Sequence, residues 1–440
     1  SANLGYDIGV MAGAALRVQD DWSLSDVKVE VLVGILNACA IAGAAVAHYV
    51  VDRLGRRRTF TVSSAVFIVG VLGMACSVNY AMLLLFRVIT GLGVGVGLSV
   101  DPVYIAEVAP PHARGALVSW SEIAINVGIL LGFVAAWCFV DVGSDTAWRA
   151  MLALGAILPS VLFVLTLTVM PETPRWLVQK GRLDEARRVL ARLGSRDGIL
   201  EEIQAAVARE ADQQGAGWGA VFKPRTRGVR RAILVGVGVG AAQQMLAEEA
   251  LLFYLPRILL DLGETRNRVY GALVGMGVLK TLCIVVAAIY LDKSGRRPML
   301  LGSVFGMGLS LLVIGSAFSA GLPVLAVIAT WLYMMSFSLG IGPGCWLVAS
   351  EVFPLVIRAK CMALATVANR VFSSLIASTF LSWAGAMSYA GYFYFFTALS
   401  VVLWATLYVY LPETAGRSLE AMSEHFASLF GEEVAAPPSK

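Results

Sequence analysis

Two ionisable side chains interrupt stretches of the sequence that are otherwise apolar. Asp7 lies in the run that opens the chain, and Arg87 lies in the segment FRVITGLGVGVG. If these stretches cross a bilayer, an unpaired charge in them costs at least about 2.5–3.5 kcal/mol, so both side chains are expected to have a function. Burial favours the neutral form of a carboxyl group and an opposite charge favours its ionised form, so the chemistry open to Asp7 is reversible protonation.

Polar side chains also interrupt other apolar stretches, and their spacing limits how they can be used. Glu122 and Asn126 are four residues apart, so they share one face of a helix. Gln244 and Glu249 are five residues apart and, at about 100° per residue, would not share a face of a regular helix. If both side chains reach one cavity, the helix must break or wind irregularly near Ala247, as discontinuous membrane helices do.

The composition is that of a membrane protein. Of the 440 residues, 58% are apolar and 15% are charged, whereas soluble domains carry about 25% charged residues. The mean hydropathy is +0.76. A bilayer must therefore solvate most of the chain, which excludes a cytosolic enzyme, a disordered scaffold and a nucleic-acid-binding protein. The six cysteines predict no disulfide framework, and the three histidines lack metal-ligand spacing, so neither a metal site nor covalent catalysis is expected.

Apolar runs recur along the chain. A membrane-spanning helix needs about 20 mostly apolar residues. Runs of this kind occupy residues 31–51, 60–78, 82–104, 116–140, 149–170, 232–261, 270–291, 299–320, 323–348, 361–385 and 391–411. With the opening run, which ends at Leu16, they predict twelve helices, six on each side of a polar stretch. The opening run is too short to span, and the chain begins at Ser1 rather than Met, so we expect that its beginning has been lost.

The polar stretch from about Arg175 to Arg231 is the only large segment predicted outside the membrane. It carries thirteen Lys and Arg against seven Asp and Glu. Part of it has an amphipathic helical pattern, with one face formed by Leu183, Ala186, Val189, Leu190 and Leu193. The short loops 52–58 and 292–297 are also basic. The positive-inside rule assigns these segments to the cytoplasm, and an even number of helices then puts both termini there.

Three motifs occur twice, in the same order and at nearly the same offset. DRLGRR at 52–57 recurs as DKSGRR at 292–297, EVAPPHAR at 107–114 recurs as EVFPLVIR at 351–358, and PET at 171–173 recurs at 412–414. Because six helices return the chain to its starting side, the duplication is parallel. The pattern predicts an all-α membrane protein with twelve transmembrane helices in two six-helix bundles, the major facilitator fold, and a substrate site between the halves at mid-membrane.

The expected domains follow from these boundaries. An N-terminal six-helix bundle with a truncated first helix occupies 1–174, and a cytoplasmic linker with amphipathic helices occupies 175–231. A C-terminal six-helix bundle occupies 232–415, and a cytoplasmic tail occupies 416–440.

The motifs together resemble the sugar porter family over essentially the whole chain. They are DRLGRR, PVYIAEVAPPHARG, PETPRWLVQKGR, DKSGRRP, SEVFPLVIR and PETAGRSLE. Within that family, GYDIGVMAGA, EIAINVGIL, the Lys of GVLKT and the NRV after SEVFP look most like plant polyol/monosaccharide–proton symporters. The resemblance implies a secondary active transporter, not an enzyme, that moves a monosaccharide or polyol by alternating access. An uncoupled facilitator and a non-transporting sugar sensor of the same fold are the alternatives.

The resemblance also assigns the proton site. It pairs the Asp and Arg that match Asp7 and Arg87, so protons would be the coupling ion and no other cofactor is expected. Arg87 would hold Asp7 ionised, and separation of the pair would let the carboxyl take up a proton. A static ion pair that orients two helices is the alternative, but a buried pair is weak evidence for stability alone.

The substrate site implied by the resemblance combines acids, amides and one aromatic ring. Glu122 occupies the position of a sugar-binding Gln, and Lys280 replaces a sugar-binding Asn. Lys280 could neutralise Glu249 or exchange hydrogen bonds with hydroxyls, and a purely structural ion pair is an equal alternative. Trp346 would pack on the C–H face of the substrate. The full expected set is Glu122, Asn126, Gln243, Gln244, Glu249, Lys280, Trp346 and Asn369.

Charged residues of the repeated motifs are expected to form a cytoplasmic latch. In the family they make ion pairs between the halves and to the linker when the cavity faces outward. The alternative is topology and helix capping, which explains the arginines but not the carboxylates. The expected set is Asp52, Arg56, Arg57, Glu107, Arg114, Glu172, Arg175, Asp292, Arg296, Arg297, Glu351, Arg358, Glu413 and Arg417.

The expected partners are a small-molecule sugar or polyol and the lipid bilayer but no nucleic acid. We expect a monomer, in the plasma rather than the vacuolar membrane.

Overall fold

The computed structural model describes residues 1–108, 114–193, 198–213, 218–224, 226–354, 357–415, 422, 425–426 and 428–429. The principal elements of these residues are α-helices. They are α1 (Ala2–Trp22), α2 (Asp26–Leu54), α3 (Arg56–Ala75), α4 (Tyr80–Val108), α5 (Arg114–Cys138), α6 (Ser144–Leu154), α7 (Ile157–Thr168), α8 (Pro174–Gln179), α9 (Leu183–Arg192), α10 (Ile199–Gln213), α11 (Gly219–Phe222), α12 (Arg227–Ala242), α13 (Glu248–Asp261), α14 (Arg266–Ser294), α15 (Arg296–Ala320), α16 (Pro323–Leu339), α17 (Ile341–Val352), α18 (Arg358–Ala377) and α19 (Phe380–Tyr410).

Nine segments of the described residues are long and apolar enough to cross a membrane. The pairs α6–α7 and α16–α17 each count as one span, and α19 bends at Ser388, where φ is +69°. Three further predicted spans fail that criterion for identifiable reasons. Helix α1 and helix α18 carry charged residues, and the predicted seventh span is divided into α12 and α13. With these three, the helices match the twelve apolar runs of the sequence.

Helix α1 continues six residues beyond Leu16, where the apolar run ends. Arg17 does not stop the helix, because its guanidinium is buried and donates to the carbonyl oxygens of Phe139, Val140 and Val142 at 2.7–3.0 Å. These carbonyls follow the last turn of α5, where helix oxygens lack partners within the helix. The helix therefore extends past the apolar run, since the charge that ends the run is bound by carbonyl groups that follow α5.

Helices α1 and α5 pack with their backbones in contact. A Cβ atom at Gly9 would overlap the carbonyl oxygen of Ile129, and a Cβ atom at Gly132 would lie 2.5 Å from the backbone nitrogen of Val10. Only glycine permits so close an approach, which is how membrane helices gain packing contacts without a hydrophobic driving force. This packing fixes the position of Asp7, which lies on α1 between the contacting glycines.

The chain divides into two compact units, each described by itself below. Unit 1 comprises residues 1–212, 249–281 and 374–383, and unit 2 comprises residues 213–248, 282–373 and 384–440.

The linker helices of unit 1 form a small core of their own. Helices α8, α9 and α10 bury an apolar cluster formed by Trp176, Leu177, Ala186, Leu190 and Leu200. The predicted amphipathic face of α9 is confirmed at its centre, by Ala186 and Leu190. Its two ends differ from the prediction: Leu183 and Leu193 are exposed because the face runs out where the helix begins and ends.

The break predicted near Ala247 is present. Helix α12 ends at Ala242, residues 243–247 form turns and α13 begins at Glu248. Ala247 has a φ of +67°, a left-handed conformation that side chains rarely adopt. In unit 2 the hydroxyl of Tyr333 donates to the carbonyl oxygen of Leu246 at 2.6 Å, so a backbone group freed by the break is satisfied.

Replacement of Ala247 by glycine tests the strain at this break. Ala247→Gly is expected to leave the thermal unfolding midpoint unchanged or to raise it, because the relief of left-handed strain offsets the lost methyl group. Ala250→Gly is the matched control, since Ala250 is equally buried but lies within α13, and it is expected to cost about 1 kcal/mol. Equal destabilisation by the two changes, measured by thermal unfolding of purified protein, would contradict the assignment.

Candidate functional site

Asp7 and Arg87 form a buried ion pair in unit 1. Nη1 of Arg87 donates to both carboxylate oxygens of Asp7, at 2.7 and 2.8 Å, and both residues are at most 3% exposed. Nε of Arg87 donates to the carbonyl oxygen of Leu32 at 3.2 Å, so α2 also holds the guanidinium. Nη2 of Arg87 has no hydrogen-bond partner in the described part of the chain. The pair thus has the geometry of a charge-assisted contact in which one guanidinium nitrogen, Nη2, has no partner among the described residues.

Glu122 and Asn126 lie one turn apart on α5, as their spacing predicted. Nδ2 of Asn126 donates to the backbone carbonyl of Glu122 at 2.8 Å. The other end of this amide, Oδ1, is buried and has no hydrogen-bond partner among the described residues. A buried amide oxygen in this state is an acceptor suited to a hydroxyl group.

Gln243 and Asn369 form an amide cluster in unit 2. Nδ2 of Asn369 donates to Oε1 of Gln243 at 2.7 Å and to the carbonyl oxygen of Gly240 at 2.8 Å. Nε2 of Gln243 in turn donates to the carbonyl oxygen of Gly342 at 2.6 Å. The two amides therefore connect the end of α12 to α17 and α18. This cluster brings together two of the residues expected to bind substrate.

The remaining expected binding residues are buried or half-buried. Gln244 is 4% exposed in unit 2, and its Oε1 has no hydrogen-bond partner within the described residues. Glu249 on α13 and Lys280 on α14 are both buried in unit 1. Trp346 is half-buried on α17 in unit 2.

Arg370 contacts the amide cluster, and sequence reasoning missed this contact. Its Nε and Nη2 donate to Oδ1 of Asn369 at 3.0 and 2.7 Å. Arg370 donates to the oxygen of Asn369 and two acceptors receive from its nitrogen, so these contacts fix the orientation of the amide. Adjacent residues on a helix do not normally face each other, so their order in the sequence gave no signal for this contact.

The repeated charged motif forms a cluster in unit 1. Nη2 of Arg56 pairs with Oε1 of Glu107 at 2.7 Å, while Asp52 lies 3.9 Å from Arg56. The carboxylate of Glu172 accepts from the backbone N–H groups of Arg56 and Arg57 at 2.8–3.3 Å. These are the first N–H groups of α3, which lack partners within the helix. Glu172 therefore caps α3, and the cluster joins α3, α4 and the segment that follows α7.

Unit 2 repeats the same arrangement at the matching residues. Nη2 of Arg296 pairs with Oε1 of Glu351 at 3.1 Å, and Glu413 accepts from the backbone N–H groups of Arg296 and Arg297 at 3.0 and 3.2 Å. The carboxylate of Glu413 also accepts from the N–H groups of Thr414 and Ala415. The duplication inferred from the sequence is therefore also a duplication of contacts.

Three of the other expected latch residues donate hydrogen bonds to backbone carbonyl groups. In unit 1, Nε of Arg57 donates to the carbonyl oxygen of Thr166 at 2.6 Å. In unit 2, Nη2 of Arg297 donates to that of Tyr408 at 2.6 Å, and Arg358 donates to that of Phe353 at 3.3 Å. Arg175 is half-buried at the start of α8. Arg417 lies outside the described residues, as do the side chains of Arg114 and Asp292.

Ionic contacts also lie at the end of unit 1 that carries the turn between α1 and α2. Nη1 of Arg257 donates to Oε1 of Gln19 at 2.7 Å and lies 3.4 Å from Asp26. Nη2 of Arg266 pairs with Asp20 at 2.7 Å. The start of α14 and the end of α13 are thus tied to α1 and α2. Sequence reasoning missed these contacts because each joins residues more than 200 positions apart.

A buried carboxylate of α2 holds the start of α19. Oε1 of Glu30 accepts from the backbone N–H of Ser382 at 2.7 Å, and its Oε2 accepts from the hydroxyl of the same residue. On the other side, the hydroxyl of Tyr254 donates to the carbonyl oxygen of Ala377 at 2.6 Å. The gap between α18 and α19 is therefore held from α2 and from α13.

Comparison with known proteins identifies the family. The family model described as sugar (and other) transporter matches residues 1–426. The chain belongs to this family. It is 39% identical over 434 residues to the probable polyol transporter 4 of Arabidopsis thaliana, covering 96% of this chain and 82% of that protein. It is 38% identical over 451 residues to polyol transporter 5 of the same plant, covering 96% and 84%.

Among solved structures, one similar chain is the proton:xylose symporter XylE, from E. coli, bound to 6-bromo-6-deoxy-D-glucose. The match has a TM-score of 0.80 at 26% identity and covers 97% of this chain and 96% of that chain. The predicted fold is confirmed: an all-α membrane protein with the twelve-helix layout of the major facilitator superfamily. The sugar porter resemblance is also confirmed, and the protein is a membrane transporter rather than an enzyme.

The Glu413 cap provides a test of how the duplicated cluster contributes to stability. Partial burial opposes ionisation, but the four backbone N–H donors outweigh it and lower the pKa of Glu413 below its ordinary value. A lowered folded-state pKa stabilises the fold above the unfolded pKa, about 4.3, and this contribution is lost as the pH falls through the folded pKa. Glu413→Gln is therefore expected to cost about 1–2 kcal/mol at pH 7 and progressively less below about pH 4.

Thermal unfolding of the purified protein between pH 7 and 3.5 measures this difference. The control is Glu185→Gln, which removes an exposed ion pair with Arg182 and is expected to cost about 0–1 kcal/mol at every pH. A deficit of Glu413→Gln that stays constant down to pH 3.5 would argue against the cap.

Proposed function

We propose that this transporter moves a monosaccharide or a polyol by alternating access, in symport with protons that bind at Asp7. The observation that carries the proposal is the Asp7–Arg87 pair, buried at 2.7–2.8 Å within unit 1. A carboxylate held against a guanidinium in low dielectric exchanges its partner for a proton when the geometry changes. Similarity to a proton:xylose symporter over 97% of the chain supports the coupling, and similarity to plant polyol transporters supports the substrate class.

The substrate is proposed to bind through amide and acidic side chains with one aromatic surface. Oδ1 of Asn126 and Oε1 of Gln244 are two buried amide oxygens without a hydrogen-bond partner among the described residues. Polyhydroxylated molecules carry several O–H donors, so open acceptors in buried positions suit them. Glu122, Gln243, Glu249, Lys280 and Asn369 would complete the polar set, and Trp346 would supply an apolar face.

The charged clusters are proposed to bias the transport cycle. Each cluster joins the ends of several helices, so a change in helix position alters several charge-assisted contacts at once. Networks of charges can shift an equilibrium between two conformations by a few kcal/mol where one exposed pair cannot. The basic clusters and linker also support a cytoplasmic placement of this end and of both termini. A monomer in the plasma membrane completes the proposal.

Substitution of Asp7 separates coupled from uncoupled transport. With the outside of proteoliposomes one pH unit more acidic, one proton per substrate allows accumulation up to about tenfold. Asp7→Asn is expected to reduce the accumulation ratio to one while exchange of labelled substrate continues, because the amide cannot take up a proton. Radiolabelled uptake and counterflow measure the two quantities on the same preparation.

Asp141→Asn, in an exposed turn after α5, is the control and is expected to accumulate substrate like the wild type. Uphill uptake that survives in Asp7→Asn would rule out Asp7 as the coupling site. Absence of pH-driven accumulation in the wild type, with exchange intact, would identify an uncoupled facilitator.

Substitution of the open acceptors tests the substrate site. Asn126→Leu and Gln244→Leu are each expected to raise the half-saturating substrate concentration in counterflow about tenfold, the equivalent of one lost hydrogen bond. The control is Asn267→Leu, because Asn267 is exposed and its oxygen already accepts from Trp137. A change of less than about twofold in both site variants would remove these residues from the substrate site.

A further inference from the structure

The net positive charge of the linker lies mainly in its last part. Between Arg175 and Asp212 the chain carries eight cationic residues and seven acidic ones. From residue 213 to residue 247 it carries five cationic residues and no acidic one. The excess charge therefore lies in the segment that leads into the membrane at α12, with no carboxylate of the same segment to neutralise it.

The same segment exposes two stacked aromatic rings. Trp218 is 48% and Phe222 is 67% exposed, and their ring centroids lie 6.0 Å apart at an angle of 24°. Val221, next to Phe222, is buried in a cluster with Ile233 and Phe353. The short helix α11 is thus anchored in unit 2 by its apolar side, and its aromatic side faces outward. Exposed aromatic rings of this kind are typical of the membrane–water interface.

Cationic side chains lie directly beside these rings. Lys223 follows Phe222 and is exposed, and Arg230 is exposed in the first turn of α12. Arg231 places its guanidinium 5.5 Å from the ring centroid of Tyr410, which is 53% exposed at the end of α19. Cations and amphipathic rings therefore alternate across the starting end of α12 and the final turn of α19.

Helix α15 repeats this pairing of a cation with an aromatic ring of α19. The guanidinium of Arg297 lies 5.3 Å from the ring centroid of Tyr408, which stacks on Trp404 at 5.3 Å. Apolar surface begins at once on the membrane side, where Leu234 is 63% and Val409 is 65% exposed. The cations thus lie within about one helical turn of surface that a bilayer must cover. Lipid already covers this apolar surface in a membrane, so the surface is not available to a soluble partner.

We propose that this basic–aromatic surface binds the phosphate headgroup of an anionic phospholipid. The surface consists of Trp218, Phe222, Lys223, Arg230, Arg231 and Tyr410. Each cation near a negatively charged membrane contributes about 1 kcal/mol, and the aromatic rings sit at headgroup level while the acyl chains cover the apolar helix surface. The site fixes the end of the linker to the bilayer, and it depends neither on the transported substrate nor on proton coupling.

Thermal unfolding in mixed micelles tests the proposal. The purified chain in neutral detergent is titrated with phosphatidylglycerol or with phosphatidylcholine of the same acyl chains. Phosphatidylglycerol is expected to raise the unfolding midpoint by on the order of 3 °C or more, since a ligand that binds only the folded state stabilises it. Phosphatidylcholine and soluble glycerol phosphate are expected to give less than a third of that shift.

Two double variants locate the site. Lys223→Gln/Arg230→Gln and Trp218→Ser/Phe222→Ser are each expected to lose more than half of the phosphatidylglycerol shift. The control is Arg187→Gln/Arg192→Gln, which removes two exposed cations of α9 and is expected to keep the full shift. Lys223→Gln alone, with a smaller expected loss, serves if either double variant unfolds in detergent without lipid.

Three outcomes would overturn the proposal. A full shift in Lys223→Gln/Arg230→Gln would place lipid binding elsewhere. An equal shift with phosphatidylcholine would show that headgroup charge is not recognised. An equal shift with glycerol phosphate would indicate a site for soluble phosphate instead of lipid. None of these results bears on uphill uptake, so failure here leaves the proposed transport function standing.

Discussion

A charge inside the bilayer must be neutralised or solvated by the protein, and this constraint explains the most buried polar contacts of the chain. Asp7 and Arg87 neutralise each other, and Arg17 is satisfied by carbonyl oxygens at the end of α5. Neither arrangement is cheap, because each guanidinium gives up its hydration. The two cases differ in what they permit: the carbonyls around Arg17 cannot change charge, whereas Asp7 can accept a proton.

Charged side chains have a second role in this protein, at the helix ends, and this role is repeated in each unit. Arg56, Glu107 and Glu172 in unit 1 correspond to Arg296, Glu351 and Glu413 in unit 2. In each set one carboxylate pairs with the arginine side chain and the other caps the helix that the arginine begins. One arginine residue thus joins three helix ends through its side chain and its backbone. A short motif therefore connects several helices of each unit.

Much of this could be predicted from sequence because it depends on order and spacing. The apolar runs indicated the helices, and the repeated motifs indicated the duplication. The five-residue spacing of Gln244 and Glu249 predicted a break near Ala247 if both side chains face one cavity, and the break is present. The extension of α1 beyond Leu16 could not be predicted, because it depends on carbonyl groups more than 100 residues away. The contact of Arg370 with Asn369 was also out of reach, since helical geometry normally separates adjacent side chains.

The backbone contact between α1 and α5 has a mechanical consequence. Gly5 and Gly9 flank Asp7, and each fits against a carbonyl group of α5, at Ile125 and Ile129. Those two carbonyl groups lie on either side of Asn126 in the sequence of α5. The carboxyl group of Asp7 and the amide oxygen of Asn126 are therefore carried by two helices whose backbones are in contact. Because the two backbones are in direct contact, we expect a movement of α1 that carries Asp7 away from Arg87 to move the polar face of α5 as well.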